Sequence, residues 1–474
     1  MANIFRKLPS VNQLLESPQL KQAVESVNHN VVVDGIRTFL DDLRTQVVNA
    51  ADEITIPSAN ELASKIADWI KTEEKPYLRE VINGTGIVLH TGLGRAPLGS
   101  DALKAMNEIA RGYASVEIDL ATGERGQRVK AVEKILCELT GAESAIVVNN
   151  NAAATMLTLS ALAGGKEVIV SRGQLIEIGG SYRLPDVMEC SGAKLKEVGT
   201  TNKTHLSDYE NAVGEETGAL LKVHPSNFEV VGFTKTVSTR DMVKVARQHD
   251  LPMIDDVGSG ALIDYSKFGL MDEPVVSASI QDGSDVVLFS GDKLIGGPQC
   301  GIIIGKKRYI QKILKNPLMR AMRVGKLTLA SLHATLLQYR DPEKAMQSIP
   351  LLRMLSMPIE NLSMRAKKAA EQITYSAAVE NCDVVEDHSM LGGGSLPTQK
   401  IPTWCIAVTP SGMSVDQLAD RLRKNQPAVM GRVHKDRLFI DMRTVQVSQD
   451  VELVSAFEGA GTPNSSEETP ENQD

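Results

Sequence analysis

The chain has 474 residues, enough for roughly three domains, and its 42% hydrophobic and 23% charged residues are typical of a globular protein. A net charge of −8 argues against a nonspecific polyanion or DNA binder, although it leaves open a local surface that recognises one RNA by shape. Five scattered cysteines without a CxxC pair, and eight histidines without HxxxH or HExxH spacing, indicate neither a disulfide framework nor a metal site.

No apolar run reaches the ~18 residues that a membrane helix requires. The N-terminus also lacks the apolar core of a signal peptide. We therefore expect a cytoplasmic protein that does not enter the membrane.

Residues 1–75 are predicted to form a small helical module. Apolar residues recur at helical spacing over 11–27, 35–50 and 61–70, and the segment 57–60 contains the proline and serine of a helix break and a new cap. Basic residues are outnumbered by acidic ones here, so charge alone gives this module no nucleic-acid signature.

Residues 76–325 alternate strand-like apolar runs with helical segments. The predicted strands cover residues 145–148, 167–170, 220–223, 253–255, 286–289 and 301–304. This alternation indicates an α/β domain with a mainly parallel sheet covered by helices on both faces, in which ligands bind at the carboxyl ends of the strands.

Shorter elements follow. A long helical stretch over 326–376 leads to strand-like runs at 403–408 and 437–442, which predicts a smaller α+β domain over 326–458. Residues 459–474 are rich in Gly, Pro, Ser, Asn and Glu without apolar periodicity, and we expect a disordered tail.

The first motif with chemical content follows the strand at 145–148. Residues 149–155 read NNNAAAT, the start of a helix with small side chains. Backbone N–H groups at a helix N-terminus, with amide side chains beside them, can bind a phosphate. We therefore assign Asn149, Asn150, Asn151 and Ala152 to a phosphate site.

Two carboxylates end the strand in the stretch LPMIDDVGSG at 251–260. A carboxylate against a pyridine nitrogen makes pyridoxal phosphate a better electron sink. We assign that role to Asp255 and keep Asp256 as the reserve. Both residues could instead cap the turn that follows.

The third motif is SGDKLIGGP at 290–298, directly after the apolar run DVVLF. A lysine held on a tight loop and hidden from water has its ammonium form disfavoured, so its amine can attack an aldehyde. Taken alone, the segment also fits an exposed lysine in a turn. In the order phosphate loop, acidic strand end and lysine loop, however, the motifs are typical of an aminotransferase-type pyridoxal phosphate enzyme, with Lys293 and Ser290 at the cofactor.

The chain also resembles the bacterial selenocysteine synthases, the L-seryl-tRNA(Sec) selenium transferases. The stretches that carry the resemblance are LPSV at 8–11, INGTGIVLHTGLGRAPL at 82–98, RGQLIEIGGS at 172–181, VGTTNKTH at 198–205 and the lysine loop. The resemblance implies a type I pyridoxal phosphate fold with Lys293 in Schiff-base linkage. It also implies a ring-shaped homo-oligomer, typically a decamer built from dimers, and an N-terminal module that binds the tRNA.

The reaction implied by the resemblance converts seryl-tRNA(Sec) to selenocysteinyl-tRNA(Sec). The serine loses its α-proton and its hydroxyl to give aminoacrylyl-tRNA, and selenium from selenophosphate then adds to it. The resemblance implies that the amino group of the serine first displaces Lys293 from the cofactor. The freed lysine is the natural proton shuttle for the later steps.

Further site residues are assigned on the resemblance and on their chemistry. Arginine suits the selenophosphate and its departing phosphate, and Arg95 is the first choice for binding them. Arg320 and Arg323 are expected on one helical face as a second anion-binding pair. Asp292, Thr200 and Thr201 match active-site positions of the family, although each could be a turn or cap residue. His90 is a candidate for stacking on the pyridine ring or carrying a proton, with a structural role as the alternative.

Three other functions are open from the sequence. Shorter selenocysteine-synthase-like enzymes act as lyases on small phosphorylated amino compounds, but they typically lack the N-terminal module. A dinucleotide-binding dehydrogenase is disfavoured because the GxGxxG spacing is absent around Gly84–Gly94. A catalytically inactive RNA-binding protein is disfavoured by the intact lysine loop.

Overall fold

The computed structural model describes residues 8–49, 57–74, 76–180 and 182–461. The chain divides into two compact units, Met1–Glu80 with Thr462–Asp474, and Val81–Gly461. Part of the predicted tail, residues 462–474, and residue 50 of a predicted helix lie outside the described residues.

The first unit is helical, as predicted. Its helices are α1 (Val11–Leu15), α2 (Pro18–Ser26), α3 (His29–Asn49) and α4 (Ala59–Glu73). Ser58 and Glu61 form a capping box at the start of α4, which satisfies backbone N–H groups that the helix itself leaves free. Leu14, Leu20, Ile36 and Ile66 meet in a core that belongs to this unit alone.

The second unit contains the remaining helices. They are α5 (Ser100–Ala110), α6 (Lys130–Thr140), α7 (Asn151–Ala163), α8 (Leu184–Cys190), α9 (Leu206–Ala212), α10 (Thr239–Gln248), α11 (Val276–Gln281), α12 (Lys307–Leu314), α13 (Leu318–Ala321), α14 (Lys326–Gln338), α15 (Pro342–Ser348), α16 (Pro350–Ser356), α17 (Ile359–Ile373), α18 (Val415–Lys424) and α19 (Asp450–Gly461).

All described strands also lie in this unit. They are β1 (Val81–Asn83), β2 (Ile87–Leu89), β3 (Ser144–Val148), β4 (Glu167–Ser171), β5 (Glu177–Ile178), β6 (Tyr182–Arg183), β7 (Lys194–Val198), β8 (Thr217–Val223), β9 (Met253–Gly258), β10 (Val286–Ser290), β11 (Gly301–Gly305), β12 (Val379–Gly392), β13 (Ser395–Pro410), β14 (Ala428–Met430), β15 (Arg432–His434) and β16 (Arg437–Asp441).

Seven of these strands form the large sheet, in the order β3-β11-β10-β9-β8-β4-β7. All neighbours pair in parallel except β11, which is antiparallel to both β3 and β10. Helices α7, α8 and α12 pack on one face, and α6, α10 and α14 pack on the other. The predicted α/β fold with a mainly parallel sheet is confirmed.

Six of the seven strands agree with the predicted segments, and β7 was not predicted. Three of its five residues, in the sequence Lys-Leu-Lys-Glu-Val, are charged. Because β7 lies at the edge of the sheet, it can expose those charges, and it lacks the apolar run of a strand buried on both faces.

The domain boundaries differ from the prediction in two places. Strand β1 pairs with β14 and β2 with β12, so residues 81–89 pair with the C-terminal sheets, although Val88 and Leu89 also pack in the core beneath the large sheet. Residues 326–356 were assigned to the small domain, but Leu329, Leu332 and Leu351 pack in the core beneath the large sheet. The small domain therefore begins near α17, whose Leu362 and Ala366 lie in a separate core.

The predicted tail also begins later than expected. Helix α19 continues through Gly461 because Phe457 and Ala460 are buried against the small domain. No helix among the described residues is both long enough and apolar enough to cross a membrane.

Candidate active site

Lys293 lies on the loop between β10 and β11. The Gly291 N–H donates to the carbonyl of Cys300, and the Gly297 N–H donates to the carbonyl of Gly291, both at 2.9 Å. Gly296 has a φ of 68°, a left-handed conformation that glycine adopts without strain. These contacts close the loop tightly around the lysine.

Two buried tyrosines fix the far side of the loop. The hydroxyl of Tyr265 donates to the carbonyl of Leu294 at 2.6 Å, and that of Tyr339 donates to the carbonyl of Ile295 at 2.9 Å. Lys293 itself is 5% exposed. Burial lowers the pKa of its ammonium group, and the nearby Arg95 lowers that pKa further. The loop thus holds Lys293 in a buried environment that disfavours its charged form.

The two carboxylates at the end of β9 point to opposite faces of the sheet, because side chains alternate along a strand. Asp255 lies on the α10 face, where Thr239 Oγ1 donates to its Oδ2 at 3.2 Å and the charge of Lys222 lowers its pKa against the effect of burial. Asp256 lies on the α7 face and interacts electrostatically with Lys293. The geometry therefore disfavours the assignment of Asp255 to the cofactor and points to the reserve residue, Asp256.

Asp256 is held in place by α7. Asn151 Nδ2 donates to Asp256 Oδ1, and Thr155 Oγ1 donates to Asp256 Oδ2, both at 2.9 Å. Burial raises the pKa of Asp256, while these two donors and Lys293 lower it, so the hydrogen bonds favour the charged form in a buried position.

The start of α7 differs in detail from the predicted phosphate site. The Asn150 side chain caps its own helix by accepting from the Ala153 N–H at 2.8 Å, and Asn151 contacts Asp256. The Asn149 N–H donates to the carbonyl of Met322. The N–H groups of Asn151 and Ala152 lie in the first turn, where helix geometry provides no partner, so backbone rather than side-chain amides remain suited to an anion.

Arg95 and His90 come from the turn that follows β2. Arg95 Nη1 donates to Asp292 Oδ2 at 2.5 Å, so the residue before the lysine is paired with the predicted anion-binding arginine. The Arg95 N–H donates to the carbonyl of His90 at 3.0 Å. Arg95 Nε and His90 Nδ1 are buried and have no hydrogen-bond partner among the described residues. Both atoms are available to a ligand.

Thr200 and Thr201 line a cavity of about 660 Å³ with His224, Ser226 and Lys235. The pKa of His224 is lowered to about 4, mainly by burial and then by the charges of Lys222 and Lys293. His224 thus lines this cavity and is also affected by the charge of Lys293. The sequence analysis did not single it out, because a lone histidine has no distinguishing pattern.

Arg320 and Arg323 do not share a helical face, so this prediction is wrong. Helix α13 ends at Ala321, and Arg323 lies on extended backbone that forms an isolated bridge with Val148. Both arginines line a second cavity, of about 770 Å³, together with Arg125 and Arg128. Arg323 Nη1 lies 3.6 Å from the carboxylate of Glu117. Neither arginine lines the cavity of Thr200 and Thr201.

The residues around Lys293 fit pyridoxal phosphate. A buried lysine, a buried carboxylate on the same side of the sheet and a helix N-terminus provide for its aldehyde, ring nitrogen and phosphate. Asn151 Oδ1 and His90 Nδ1 are buried polar atoms with no partner among the described residues, which a bound polar molecule would satisfy. Ser290 is buried where the lysine loop begins.

The family is decided by comparison with known sequences. Residues 81–446 match the family described as L-seryl-tRNA selenium transferase. The chain belongs to the L-seryl-tRNA selenium transferase family. Residues 5–44 match a further family described as selenocysteine synthase N terminal, and they fall within the first unit.

Individual members of the selenium transferase family are similar along almost their whole length. The L-seryl-tRNA(Sec) selenium transferase of Maridesulfovibrio salexigens is 46% identical over 448 residues, which cover 94% of this chain and 96% of that protein. The enzyme of Geobacter sulfurreducens is 46% identical over 458 residues, covering 96% and 98%. The resemblance stated from the sequence is confirmed.

Among solved structures, D-glucosaminate-6-phosphate ammonia-lyase has a similar fold, with a TM-score of 0.55 and 20% sequence identity. The similarity covers 81% of this chain and 96% of that chain. At 20% identity this comparison supports the fold of the present chain, but it gives no information about the substrate of the present chain.

Proposed function

We propose that this protein converts L-seryl-tRNA(Sec) to L-selenocysteinyl-tRNA(Sec), using pyridoxal phosphate and selenium from selenophosphate. The observation that carries the proposal is the 46% identity to enzymes of that name over at least 94% of both chains. The match of residues 5–44 to the N-terminal family favours the tRNA substrate over a small amino compound. Because the substrate is an aminoacyl-tRNA, we expect the enzyme to act in the cytoplasm.

The chain's own residues would hold the cofactor in three places. Lys293 would bind its aldehyde, Asp256 would face its ring nitrogen, and the first turn of α7, at Asn151 and Ala152, would bind its phosphate. Bound pyridoxal phosphate would draw electrons from the α-carbon of the serine and so make its proton acidic. Asn151 and Thr155 keep the carboxylate of Asp256 oriented for that purpose.

Lys293 would move the protons. Its lowered pKa favours the amine, which can remove the α-proton of the serine and then donate a proton to the departing hydroxyl. The burial of the lysine excludes water, which would compete for these protons.

Arg95 would bind the selenophosphate or its departing phosphate beside the lysine. Its pairing with Asp292 orients the guanidinium group, and its buried Nε remains free of any partner in the described structure. Thr200 and Thr201, on the cavity next to His224, would contact the aminoacyl end of the tRNA.

Arg320 and Arg323 would form a separate anion-binding surface. They share a cavity with Arg125 and Arg128, where four guanidinium groups face one carboxylate, that of Glu117, which pairs with Arg125, Arg128 and Arg323. We also expect the homo-oligomer of the family, a decamer built from five dimers, because large apolar side chains such as Tyr113, Leu120 and Phe233 are at least 80% exposed.

The test is a titration of the cofactor-loaded protein with seryl-tRNA(Sec), monitored through the visible absorption of the bound cofactor. Seryl-tRNA(Ser) is the control RNA, and Lys293→Ala, which should lack the protein-bound chromophore, is the control protein. A change with seryl-tRNA(Sec) alone is expected, since only that RNA should be recognised. A protein that responds to neither RNA, or a Lys293→Ala variant with full turnover, would contradict the proposal.

A further inference from the structure

Positive charge is concentrated in one segment of the second unit. Residues 306–326 contain eight basic residues and no acidic one, in a chain whose net charge is −8. The basic residues are Lys306, Lys307, Arg308, Lys312, Lys315, Arg320, Arg323 and Lys326. The segment covers α12, α13 and the start of α14. The roles assigned above use only two of these eight side chains.

The basic residues of α12 lie on its exposed face. Tyr309, Ile310 and Ile313 are buried in the core on the α7 face of the large sheet. The other face carries only exposed polar side chains, namely Lys307, Arg308, Gln311, Lys312 and, directly after the helix, Lys315. This spacing puts the cations in one stripe, and the helical rise separates its first and last members by about 12 Å along the axis.

Most of this charge has no partner in the described part of the chain. Lys306 Nζ and Arg308 Nη2 lie 2.6 and 3.9 Å from the same buried carboxylate, that of Asp285. Three exposed cations of the stripe form no ion pair with any residue that the structure describes, namely Lys307, Lys312 and Lys315. The stripe is therefore open to an anion from outside the chain.

The arrangement also costs α12 stability. Lys307 and Arg308 lie in its first turn, at the positive end of the helix dipole, where acidic residues are favourable. Arg308 and Lys312 are four residues apart, a spacing at which like charges repel. Glu143 accepts a hydrogen bond from the Lys307 N–H at 2.9 Å, so one carboxylate offsets part of this cost. Interspersed acids and bases would keep the face soluble without that cost, and the uniform charge points to an anionic partner.

The stripe leads into the arginine-lined cavity of about 770 Å³. Gln311 and Lys315 line this cavity together with its four arginines, and Glu117 is the one carboxylate among the lining residues. The planar guanidinium group suits phosphate oxygens. We call the stripe and the cavity arginines together the α12 surface, which comprises Lys307, Arg308, Lys312, Lys315, Arg125, Arg128, Arg320 and Arg323.

The chemistry of the α12 surface favours a nucleic-acid backbone over a membrane or a protein. A helix that lies on a membrane exposes large apolar side chains opposite its basic ones, and protein interfaces are centred on such anchors. The large apolar side chains of α12 are buried in the domain core instead. A row of cations without apolar anchors matches the regularly spaced charges of a phosphodiester strand.

We propose that the α12 surface binds backbone phosphates of the tRNA, as a second RNA contact besides the one assigned to the first unit. The inference rests on the proposed tRNA substrate. Phosphate contacts carry no sequence information, so this surface strengthens the binding of any tRNA and leaves the choice of tRNA(Sec) to other contacts.

The test measures the binding of unacylated tRNA(Sec) to the full, cofactor-loaded chain by filter binding at several KCl concentrations. The test variant combines Lys307→Gln, Lys312→Gln and Lys315→Gln and leaves the cavity arginines in place. We expect the affinity at about 0.1 M salt to fall at least about tenfold, and the slope of log affinity against log salt to become shallower by about two to three, because each phosphate contact contributes about 0.9. The affinity for tRNA(Ser) should fall by the same factor.

The matched control combines Lys104→Gln, Lys367→Gln and Lys368→Gln. These lysines are exposed on α5 and α17 and form no ion pair with the described residues, so the same charge is removed from another part of the second unit. The affinity and the salt slope of this control should equal those of the parent. A variant that changes the three α12 lysines to arginine keeps the charge and should also match the parent.

Two results would overturn the inference through RNA binding alone. One is a glutamine variant of α12 with the affinity and salt slope of the parent, and the other is an equal loss in the matched control, which would reflect net charge only. Binding of the parent to phosphatidylserine vesicles that is lost in the α12 variant, with unchanged tRNA affinity, would assign the surface to a membrane and overturn the inference as well.

Failure of this inference can be distinguished from failure of the proposed function. A parent that responds to seryl-tRNA(Sec) in the cofactor titration, with an α12 variant of unchanged affinity, refutes only the role of the α12 surface. A parent that binds neither tRNA refutes both.

Discussion

At the scale of single residues, the alternation of side chains along β9 decides which carboxylate can face the proposed cofactor. The sequence places Asp255 and Asp256 side by side, and either could face Lys293. Ile254, in phase with Asp256, packs in the core on the α7 face, whereas Met253, in phase with Asp255, packs in the core on the α10 face. One residue of register thus separates a candidate cofactor ligand from a structural acid.

This assignment gives a prediction for a pair of matched variants. Asp256→Asn should lower kcat by roughly 10²-fold or more, because it removes a preorganised charge from the reaction centre. Asp255→Asn should retain most of kcat but lower the thermal stability, because Lys222 and Thr239 lose their buried partner. Steady-state kinetics and thermal unfolding measure the two effects. A large loss of kcat in Asp255→Asn alone would return the role to that residue.

At the scale of elements, the contact between β11 and the start of α7 shapes the phosphate site. A Cβ atom at Gly301 would lie 2.1 Å from the backbone carbonyl oxygen of Asn150 and 2.9 Å from the backbone nitrogen of Asn151. Neither atom can move without displacing the helix start. The glycine is therefore required by close approach and not by an unusual φ angle.

Gly301→Ala should lower the free energy of unfolding by about 3 kcal/mol and weaken cofactor binding, because the added methyl group displaces the first turn of α7. Gly214→Ala is the control, since no atom lies within 4 Å of its Cβ position. Denaturant unfolding and a titration with pyridoxal phosphate measure the two effects. Equal stability and equal cofactor affinity in both variants would show that the loop adapts.

At the scale of the whole molecule, the two units have separate cores. Leu14, Ile36 and Ile66 pack within the first unit, and the large sheet and the small domain of the second unit have cores of their own. Lys293, Asp256 and Arg95 all belong to the second unit. The candidate site therefore does not need residues 1–80 for its assembly.

Removal of residues 1–80 should leave cofactor binding within about threefold of the full chain but weaken the binding of tRNA(Sec) by at least about tenfold, which is about 1.4 kcal/mol. The physical reason is that the proposed RNA-binding helices are lost while the site's own core stays intact. Cofactor absorption and tRNA filter binding measure the two affinities. An unchanged affinity for tRNA(Sec) would contradict the role of the first unit.

The sequence alone determined the order of the motifs, the strands that carry them and Lys293 as the candidate for the reactive residue, because buried strands are continuous apolar runs and the lysine loop is a local pattern. It did not determine the edge strand β7 or the start of the small domain, because these depend on which surfaces are covered. Only the tertiary structure separated Asp256 from Asp255, placed Arg323 outside α13 and placed His224 where the charge of Lys293 lowers its pKa. These facts depend on side-chain direction and on contacts between distant segments, which no local pattern encodes.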